Sequence, residues 1–304
     1  MPNDDGADKE LYAEEQEKLE RFKRRLEIER RIADRMKLIR YKILIASGKG
    51  GVGKTTAAVN LALAFAAAGD AVALLDADIH GPGVPMMLGM ADVKPTGGKG
   101  GLNPVAYDEN LAVMSMAFLV AAEAEAVIWR GPLKMAMIDN FLADINWGER
   151  DWLVVDTPPG TGDEILSLAQ RIKDVDGLIM VTTAQAAAVA SARRSLTFAA
   201  KMRIPILGVI ENMGPFACPE CGHGIGLFGA GGGERVAADF GVRFLGSVPF
   251  DPEVVPESDR GQPVLLTRPE SAAAQAWNKI AVQVRDAVAG SRAAEGEDKR
   301  AKNK

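Results

Sequence analysis

A glycine-rich turn is the segment with the clearest chemistry in this 304-residue sequence. It follows the apolar run 43–46 and precedes the alanine-rich segment 57–68, so a strand, a turn and a helix start coincide. Glycine lets successive N–H groups face phosphate oxygens, and the helix dipole favours an anion there. The spacing matches the phosphate-binding P-loop pattern GxxxxGK(S/T). The nucleotide-binding residues that this pattern predicts are Gly48, Gly50, Gly51, Val52, Gly53, Lys54, Thr55 and Thr56.

Two side chains of this turn have specific predicted roles. The Lys54 ammonium adds a positive charge near the β and γ phosphates, and the Thr55 hydroxyl is a ligand for Mg²⁺. Lys49 is an addition to the ordinary pattern.

Aspartates follow two further apolar runs. Asp76 and Asp78 come after the run 72–75, and such acids would repel phosphates unless a metal lay between them. We therefore interpret Asp76 as a Mg²⁺ ligand and Asp78 as the catalytic group that orients the attacking water, with helix capping by Asp78 as the alternative. Asp156 ends the run 152–155 as a Walker B aspartate that holds Mg²⁺ through water. The segment 157–163 after it is a predicted switch, in which Gly160 offers an N–H to the γ-phosphate.

The two cysteines, Cys218 and Cys221, form a C-x-x-C pair. Two thiolates supply half of a tetrahedral metal site or half of the ligands of an iron-sulfur cluster. A symmetric dimer would bring four thiolates together on its two-fold axis. A bridging structural zinc, a redox dithiol and a simple turn are the alternatives that the spacing leaves open.

The elements that must position these residues follow from the hydrophobic pattern. Short apolar runs alternate with amphipathic segments from Tyr41 onward, which predicts an α/β fold: a doubly wound, mainly parallel sheet with helices on both faces. Ligands of such sheets gather at the carboxyl ends of the strands, where the aspartates and the pair Glu211–Asn212 lie. The predicted strands are 43–46, 72–75, 111–114, 152–155, 177–181, 206–210 and 243–247.

Composition and charge set the remaining expectations. The net charge of −5 gives no indication of a nucleic-acid partner, and no apolar run is long enough for a membrane span. We expect a cytoplasmic protein with no membrane or nucleic-acid partner. Residues 1–40 are a predicted charged helical extension that packs by a narrow apolar edge rather than a coiled coil. Residues 41–290 form the predicted main domain, with a flexible loop at 97–101, and residues 291–304 a disordered charged tail.

Taken together, these motifs resemble the deviant Walker A ATPases, the class of MinD, ParA and the nitrogenase iron protein. The resemblance rests on the run from Gly48 to Thr55 with its extra lysine. The motifs D-A-D, D-T-P-P-G-T-G-D and E-N-M before C-P-E-C narrow it to the Mrp/ApbC iron-sulfur carrier ATPases. The similarity extends from about Lys42 to Asn278.

The resemblance implies an ATP-hydrolysing homodimer that uses ATP and Mg²⁺. Lys49 is then a catalytic and nucleotide-binding residue that reaches the phosphates of the other subunit. Asn212 contacts adenine, and the loop 249–252 closes over the base. Cys218 and Cys221 of both chains hold a bridging 4Fe-4S cluster that is passed to apo iron-sulfur proteins. A MinD/ParA-like positioning ATPase on a membrane or DNA is the alternative, and a zinc-stapled regulatory ATPase is a third possibility.

Overall fold

A computed structural model of the chain describes residues 5–78, 81–98, 100–118, 131–160, 163–218 and 220–302. Thr161 and Gly162 of the predicted switch segment lie outside these ranges. The strands are β1 Ile39–Ser47, β2 Val72–Asp76, β3 Thr96–Gly98, β4 Gly101–Asn103, β5 Val105–Ala106, β6 Leu111–Ser115, β7 Arg150–Asp156, β8 Gly177–Thr182, β9 Ile206–Gly214, β10 Phe216–Ala217, β11 Gly224–Ile225 and β12 Phe244–Pro249.

Eight of these strands form one central sheet in the order β12-β9-β8-β1-β7-β2-β6-β5. All neighbouring pairs in this sheet are parallel except β5 and β6, which are antiparallel. The mainly parallel α/β sheet predicted from the sequence is therefore confirmed, and each of the seven predicted strands overlaps an observed one. The observed strands are longer at most ends because their polar terminal residues also pair.

Helices pack on both faces of the central sheet. They are α1 Asp5–Met36, α2 Lys54–Ala67, α3 Val84–Met87, α4 Gly131–Asp144, α5 Asp163–Ile172, α6 Ala186–Lys201, α7 Gly232–Phe240, α8 Val254–Asp259, α9 Val264–Thr267 and α10 Ala272–Lys302. The chain leaves β1 through α2 toward β2, and leaves β7 through α5 toward β8 on the other side of β1. Because such crossovers are right-handed, these opposite directions place α2 and α5 on opposite faces. Helix α10 packs on α2, whereas α1 and α4 pack with α5.

The core is centred on β1 and α2. Residues 43–46 of β1 are completely buried, as a strand covered on both faces requires. The alanines of α2 before Ala67 are buried too, and their small side chains let this helix approach the sheet closely. Trp152 of β7 stacks on Phe65 of α2 with ring centroids 4.4 Å apart, which fixes this helix against the strand.

Two short antiparallel pairs were not predicted. Strands β3 and β4 form a hairpin where the sequence predicts a flexible glycine-rich loop at 97–101, so that prediction is wrong. Strands β10 and β11 form a second hairpin around the two cysteines. Both pairs are too short to show alternating hydrophobicity, which is the signal that identifies longer strands.

The amino-terminal helix differs from its prediction as well. Ile32 and Met36 are buried, but Leu19, Phe22 and Leu26, assigned to the same packed edge, are exposed. Helix α1 therefore packs on the domain only through its last turns. At the other end, α10 continues to Lys302, through the segment for which the sequence predicts disorder. Within the described part of the chain, we find no helix with the length and hydropathy of a membrane span.

Candidate functional site

The P-loop and the two aspartate motifs meet at the carboxyl edge of the sheet. The P-loop connects β1 to α2, and the strands β7 and β2 lie next to β1 in that order. Their register aligns Asp156 with both Ile45 and Asp76. The sequence prediction that these motifs share one edge is therefore correct, and it follows from the parallel arrangement of the three strands.

A buried ion pair joins the P-loop to the Walker B aspartate. Lys54 Nζ lies 2.5 Å from Asp156 Oδ1, and Thr55 Oγ1 donates a hydrogen bond of 2.7 Å to Asp156 Oδ2. Lys54 Nζ is also 3.9 Å from Asp78 Oδ2. Burial raises the pKa of Asp156, and the Lys54 ammonium and the hydrogen bonds from Lys54 and Thr55 oppose that rise. The Lys54 ammonium thus compensates the negative charge of Asp156 and Asp78, which would otherwise repel phosphate.

Asp76 is the second buried carboxylate at this edge. Ser115 Oγ donates to its Oδ2 at 2.9 Å, and the N–H groups of Asp78 and Val84 donate to its two oxygens. Burial, followed by repulsion from Asp156, raises the pKa of Asp76 to about 7. Ser115, at the end of β6, was not among the predicted site residues. Its position at a strand end beside β2 is the signal that could have identified it.

These oxygen donors suit a hard divalent cation. Asp76, Asp156 and Thr55 supply two carboxylates and a hydroxyl, which are the ligand types that Mg²⁺ prefers. Burial and repulsion from Asp156 raise the pKa of the Asp76 carboxyl, and its named contacts include no ammonium group. A cation at this edge would compensate that charge, so the residues present fit Mg²⁺.

The P-loop backbone is held by close packing on both sides. An added Cβ at Gly48 would lie 2.4 Å from the backbone carbon of Ser191 in α6, so only glycine fits there. Gly53 has φ +85° and precedes α2, a left-handed conformation that favours glycine. Val52 is buried, and its carbonyl accepts a hydrogen bond from the Asn212 amide.

Asn212 contacts the backbone of the P-loop directly. Its Nδ2 donates to Val52 O at 3.1 Å, and its side chain is buried. The following residue, Met213, has φ +56°, an irregular backbone conformation near the end of β9. Asn212 thus positions the P-loop, and the predicted contact of its amide with adenine stays a prediction.

The predictions for Lys49 of the P-loop and Gly160 of the switch segment have different outcomes. The Lys49 side chain makes no hydrogen bond or ion pair with any residue that the structure describes, so its ammonium is available to a ligand. The Gly160 N–H, predicted to face the γ-phosphate, instead donates to Ser47 O at 3.1 Å at the end of β1. This bond ties the start of the switch segment to the strand that precedes the P-loop. The remaining turn residues, Gly50, Gly51 and Thr56, lie within the same loop and helix start.

The two thiols occupy the turn of the β10–β11 hairpin. Cys218 N donates to His223 O at 2.8 Å, and Gly222 N donates to Cys218 O at 2.9 Å, which closes the turn. The backbone N–H groups of Cys221 and Glu220 hydrogen-bond to the Cys218 sulfur and lower the pKa of that thiol. Cys218 is half-buried and Cys221 is exposed. The hairpin therefore presents a thiol pair in which one member is stabilised as a thiolate.

This pair does not form a complete metal site within one chain. No cluster of three or more His, Cys, Asp or Glu side chains with metal-binding geometry occurs in the ranges that the structure describes. Two thiolates are too few for a tetrahedral zinc or an iron-sulfur cluster. Ligands from a second molecule are required for either group.

Aromatic contacts connect the thiol hairpin to the loop after β12. The ring centroids of Phe216 and Phe250 are 5.5 Å apart, and those of Phe228 and Phe250 are 5.8 Å apart. Phe250 lies in the loop 249–252 that is predicted to close over the base. Beside these rings is a cavity of about 480 Å³ with a mostly apolar lining that includes Pro215, Phe216, Phe250 and Ala272.

Glu211 has a structural role instead. Its carboxylate accepts hydrogen bonds from Gly233 N at 2.8 Å and Gly231 N at 3.2 Å, at the start of α7. A carboxylate at a helix amino terminus satisfies free N–H groups and interacts favourably with the helix dipole. Its place at a strand end does not make it a ligand-binding residue.

A substitution at Gly48 tests the contact between the P-loop and α6. Gly48→Ala should lower the free energy of unfolding of the ligand-free protein by about 1–3 kcal/mol, because its Cβ would overlap the Ser191 backbone. Gly50→Ala is the matched control, since an added Cβ there meets no atom within 4 Å and its φ is not left-handed. Urea unfolding measures both variants. Equal stabilities of the two variants would contradict the close contact.

The raised pKa of Asp76 predicts a pH-dependent stability. The folded protein keeps a proton on Asp76 up to about pH 7, whereas the unfolded chain releases it near pH 4. Stability is therefore lost as pH rises between these values, by up to about 4 kcal/mol from this group. Urea unfolding of the ligand-free protein at several pH values should show this loss in the parent and a smaller loss in Asp76→Asn. Parallel pH profiles of the two proteins would contradict the assignment.

Comparison with known proteins agrees with this geometry. The chain is 44% identical over 260 residues, 86% of its length, to a Methanocaldococcus jannaschii protein named iron-sulfur cluster carrier protein, and the match covers 89% of that protein. An Archaeoglobus fulgidus nucleotide-binding protein solved with ADP has a TM-score of 0.67 at 35% identity, covering 82% of this chain and 95% of that one.

The fold is shared more widely. The septum site-determining protein MinD of Pyrococcus horikoshii, solved with Mg-ADP, has a TM-score of 0.60 at 25% identity, covering 81% of this chain and 96% of that one. The family model described as ParA, NUBPL iron-transfer P-loop NTPase, matches residues 38–285. This match includes the P-loop, both aspartate motifs and the thiol hairpin, and the chain belongs to the NUBPL iron-transfer P-loop NTPase family.

Proposed function

We propose that this protein is an ATP-dependent carrier of iron-sulfur clusters. The observation that carries the proposal is the presence, in one domain, of a buried P-loop ion pair and an exposed thiol pair with a lowered Cys218 pKa. The relative with 44% identity is named as an iron-sulfur cluster carrier, and the Archaeoglobus protein is solved with ADP. In this proposal the protein hydrolyses ATP and transfers its cluster to apo iron-sulfur proteins, and the two processes are coupled.

The ion pair provides the chemistry for ATP. Lys54, now paired with Asp156, would move to the β and γ phosphates of ATP, since an ammonium binds the more highly charged partner. Asp156, Asp76 and Thr55 would then hold Mg²⁺, which neutralises charge that develops on the phosphates. Asp78, whose Oδ2 is 3.9 Å from Lys54 Nζ, would orient the attacking water.

The thiol pair provides the cargo site. Each chain offers Cys218 and Cys221, so two chains related by a two-fold axis supply the four thiolates that a 4Fe-4S cargo requires. Lys49, with no partner within the described part of its own chain, would contact the phosphates bound by the other subunit. The homodimer, the bridging cluster and these residue roles are therefore one linked proposal.

The aromatic contacts offer a route of coupling. Phe250 contacts Phe216 and Phe228, which flank the thiol turn on both sides. A nucleotide base that moves the loop 249–252 would shift these rings and with them the hairpin. Nucleotide state would thereby alter how firmly the thiols hold their cargo.

The alternative of a MinD/ParA-like positioning ATPase has the same fold in its favour. The thiol hairpin and the higher identity to a carrier protein favour the carrier activity. A cytoplasmic location and the absence of membrane or nucleic-acid partners remain predictions.

Loss of either predicted catalytic side chain should slow ATP hydrolysis. Lys54→Ala and Asp78→Asn should each reduce turnover by about 10²-fold or more, because phosphate neutralisation or water orientation is lost. Lys94→Ala is the control, since this lysine is exposed and outside the site. Phosphate release measures turnover, and circular dichroism confirms the fold. Turnover equal to that of Lys94→Ala would remove the roles assigned to Lys54 and Asp78.

Loss of the thiols should abolish cluster binding. Cys218→Ser with Cys221→Ser should leave almost no protein-bound iron and sulfide after anaerobic reconstitution, whereas the parent should bind a cluster with its characteristic visible absorption. His223→Ala is the matched control, because only the backbone carbonyl of His223 supports the turn. Zinc binding without a cluster in the parent would support the structural-zinc alternative. Equal iron content in the parent and the serine variant would contradict the thiol assignment.

A further inference from the structure

Helix α1 has an apolar face that the domain does not cover. The exposed fractions are 65% for Tyr12, 52% for Leu19, 58% for Phe22 and 49% for Leu26. Tyr12, Leu19 and Leu26 are seven residues apart, and Phe22 lies three after Leu19. This is the spacing of a helix that packs against another helix. The four side chains extend along about 21 Å of α1, far from the buried residues Ile32 and Met36.

Contacts at the other end of α1 set its direction. Arg31 Nη2 lies 2.5 Å from Asp144 Oδ1 at the end of α4. Because α1 and α4 both end just before the amino end of a parallel strand, both helices run from the carboxyl edge of the sheet to its amino edge. The distance from Met36 to Tyr12 along α1 is about 36 Å, whereas β1 is about 30 Å long. The uncovered part of α1 therefore lies toward the sheet edge that holds the P-loop. The start of α1 extends beyond that edge.

The charges of α1 are divided along its length. Residues 5–17 contain six acidic residues and one lysine, whereas residues 18–36 contain eight basic and four acidic residues. A second α1 in the same direction would place acidic beside acidic and basic beside basic. A second α1 in the opposite direction would place each acidic half beside a basic half, which is favourable.

We propose that the face formed by Tyr12, Leu19, Phe22 and Leu26 pairs with the same face of a second copy of this chain, in antiparallel orientation. A two-fold axis perpendicular to the helix produces this arrangement and is the symmetry of a closed homodimer. The pairing uses no residue of the P-loop and needs no nucleotide. It is thus independent of the proposed carrier activity, and it assigns a dimerisation role to the part of α1 that the domain leaves uncovered.

Sedimentation equilibrium of the full-length, ligand-free protein tests the proposal. The parent should be a dimer at low salt. The triple variant Leu19→Gln, Phe22→Gln, Leu26→Gln should raise the dimer dissociation constant by about tenfold or more, because glutamine keeps the helix and removes the apolar contact. Arg24→Gln with Glu27→Gln is the matched control, since it changes exposed positions outside the apolar face of α1 and keeps the net charge. This control should dimerise like the parent.

Salt dependence tests the orientation. Antiparallel pairing brings opposite charges together, so about 1 M NaCl should weaken the parent dimer, whereas salt would strengthen a parallel pair. A monomeric parent, a triple variant that dimerises like the parent, or a dimer strengthened by salt would overturn the proposal. A fourth outcome would also overturn it: the parent binds phosphatidylcholine vesicles and does not self-associate, and the triple variant no longer binds the vesicles. ATP turnover and iron content, measured on the same proteins, test the carrier activity separately.

Discussion

The burial of two carboxylates side by side, with one ammonium to balance them, is the constraint on which this structure depends. Asp76 and Asp156 end neighbouring parallel strands, and Lys54 is paired with only one of them. The sheet order brings the acids together, the glycines of the P-loop bring Lys54 over them, and close packing on α6 and Asn212 holds that loop in place. Removing the lysine would leave a buried charge without compensation, which is far more costly than losing a surface ion pair.

The second constraint is that the carboxylates and the thiols need different environments. The carboxylates need burial because a low dielectric strengthens their interaction with the lysine and a cation. The thiols lie at the surface, and the cargo proposed for them would need access from solvent. One sheet meets both requirements, since β7 and β2 end in the buried centre whereas β9 leads out to the hairpin of β10 and β11. Around the thiols, Phe250 of the loop after β12 contacts Phe216 and Phe228 on either side of the hairpin turn.

The sequence predicts the sheet and the buried site well because both depend on local signals. A completely buried strand is an apolar run, and a P-loop is a fixed arrangement of glycines, lysine and threonine. The positions of Asn212 and Gly160 depend instead on which backbone carbonyls lie nearby, which no local pattern encodes. The apolar residues of α1 were predicted to form one packed edge, but Leu19, Phe22 and Leu26 are exposed, because the pattern cannot show where the domain ends and the helix continues uncovered. Ser115 was missed because its strand-end position points to the site only once β6 is known to lie beside β2.

The unequal thiols of the hairpin have a consequence for the order of events. Backbone N–H groups stabilise the Cys218 thiolate, whereas Cys221 is the more exposed sulfur. A thiolate is the form that attacks an electrophile or displaces another ligand from iron. If the pair holds a cluster as proposed above, Cys218 would make the first bond to it and Cys221 would follow as the second ligand. The lowered pKa of Cys218 also favours its thiolate, which is the form that oxidants attack.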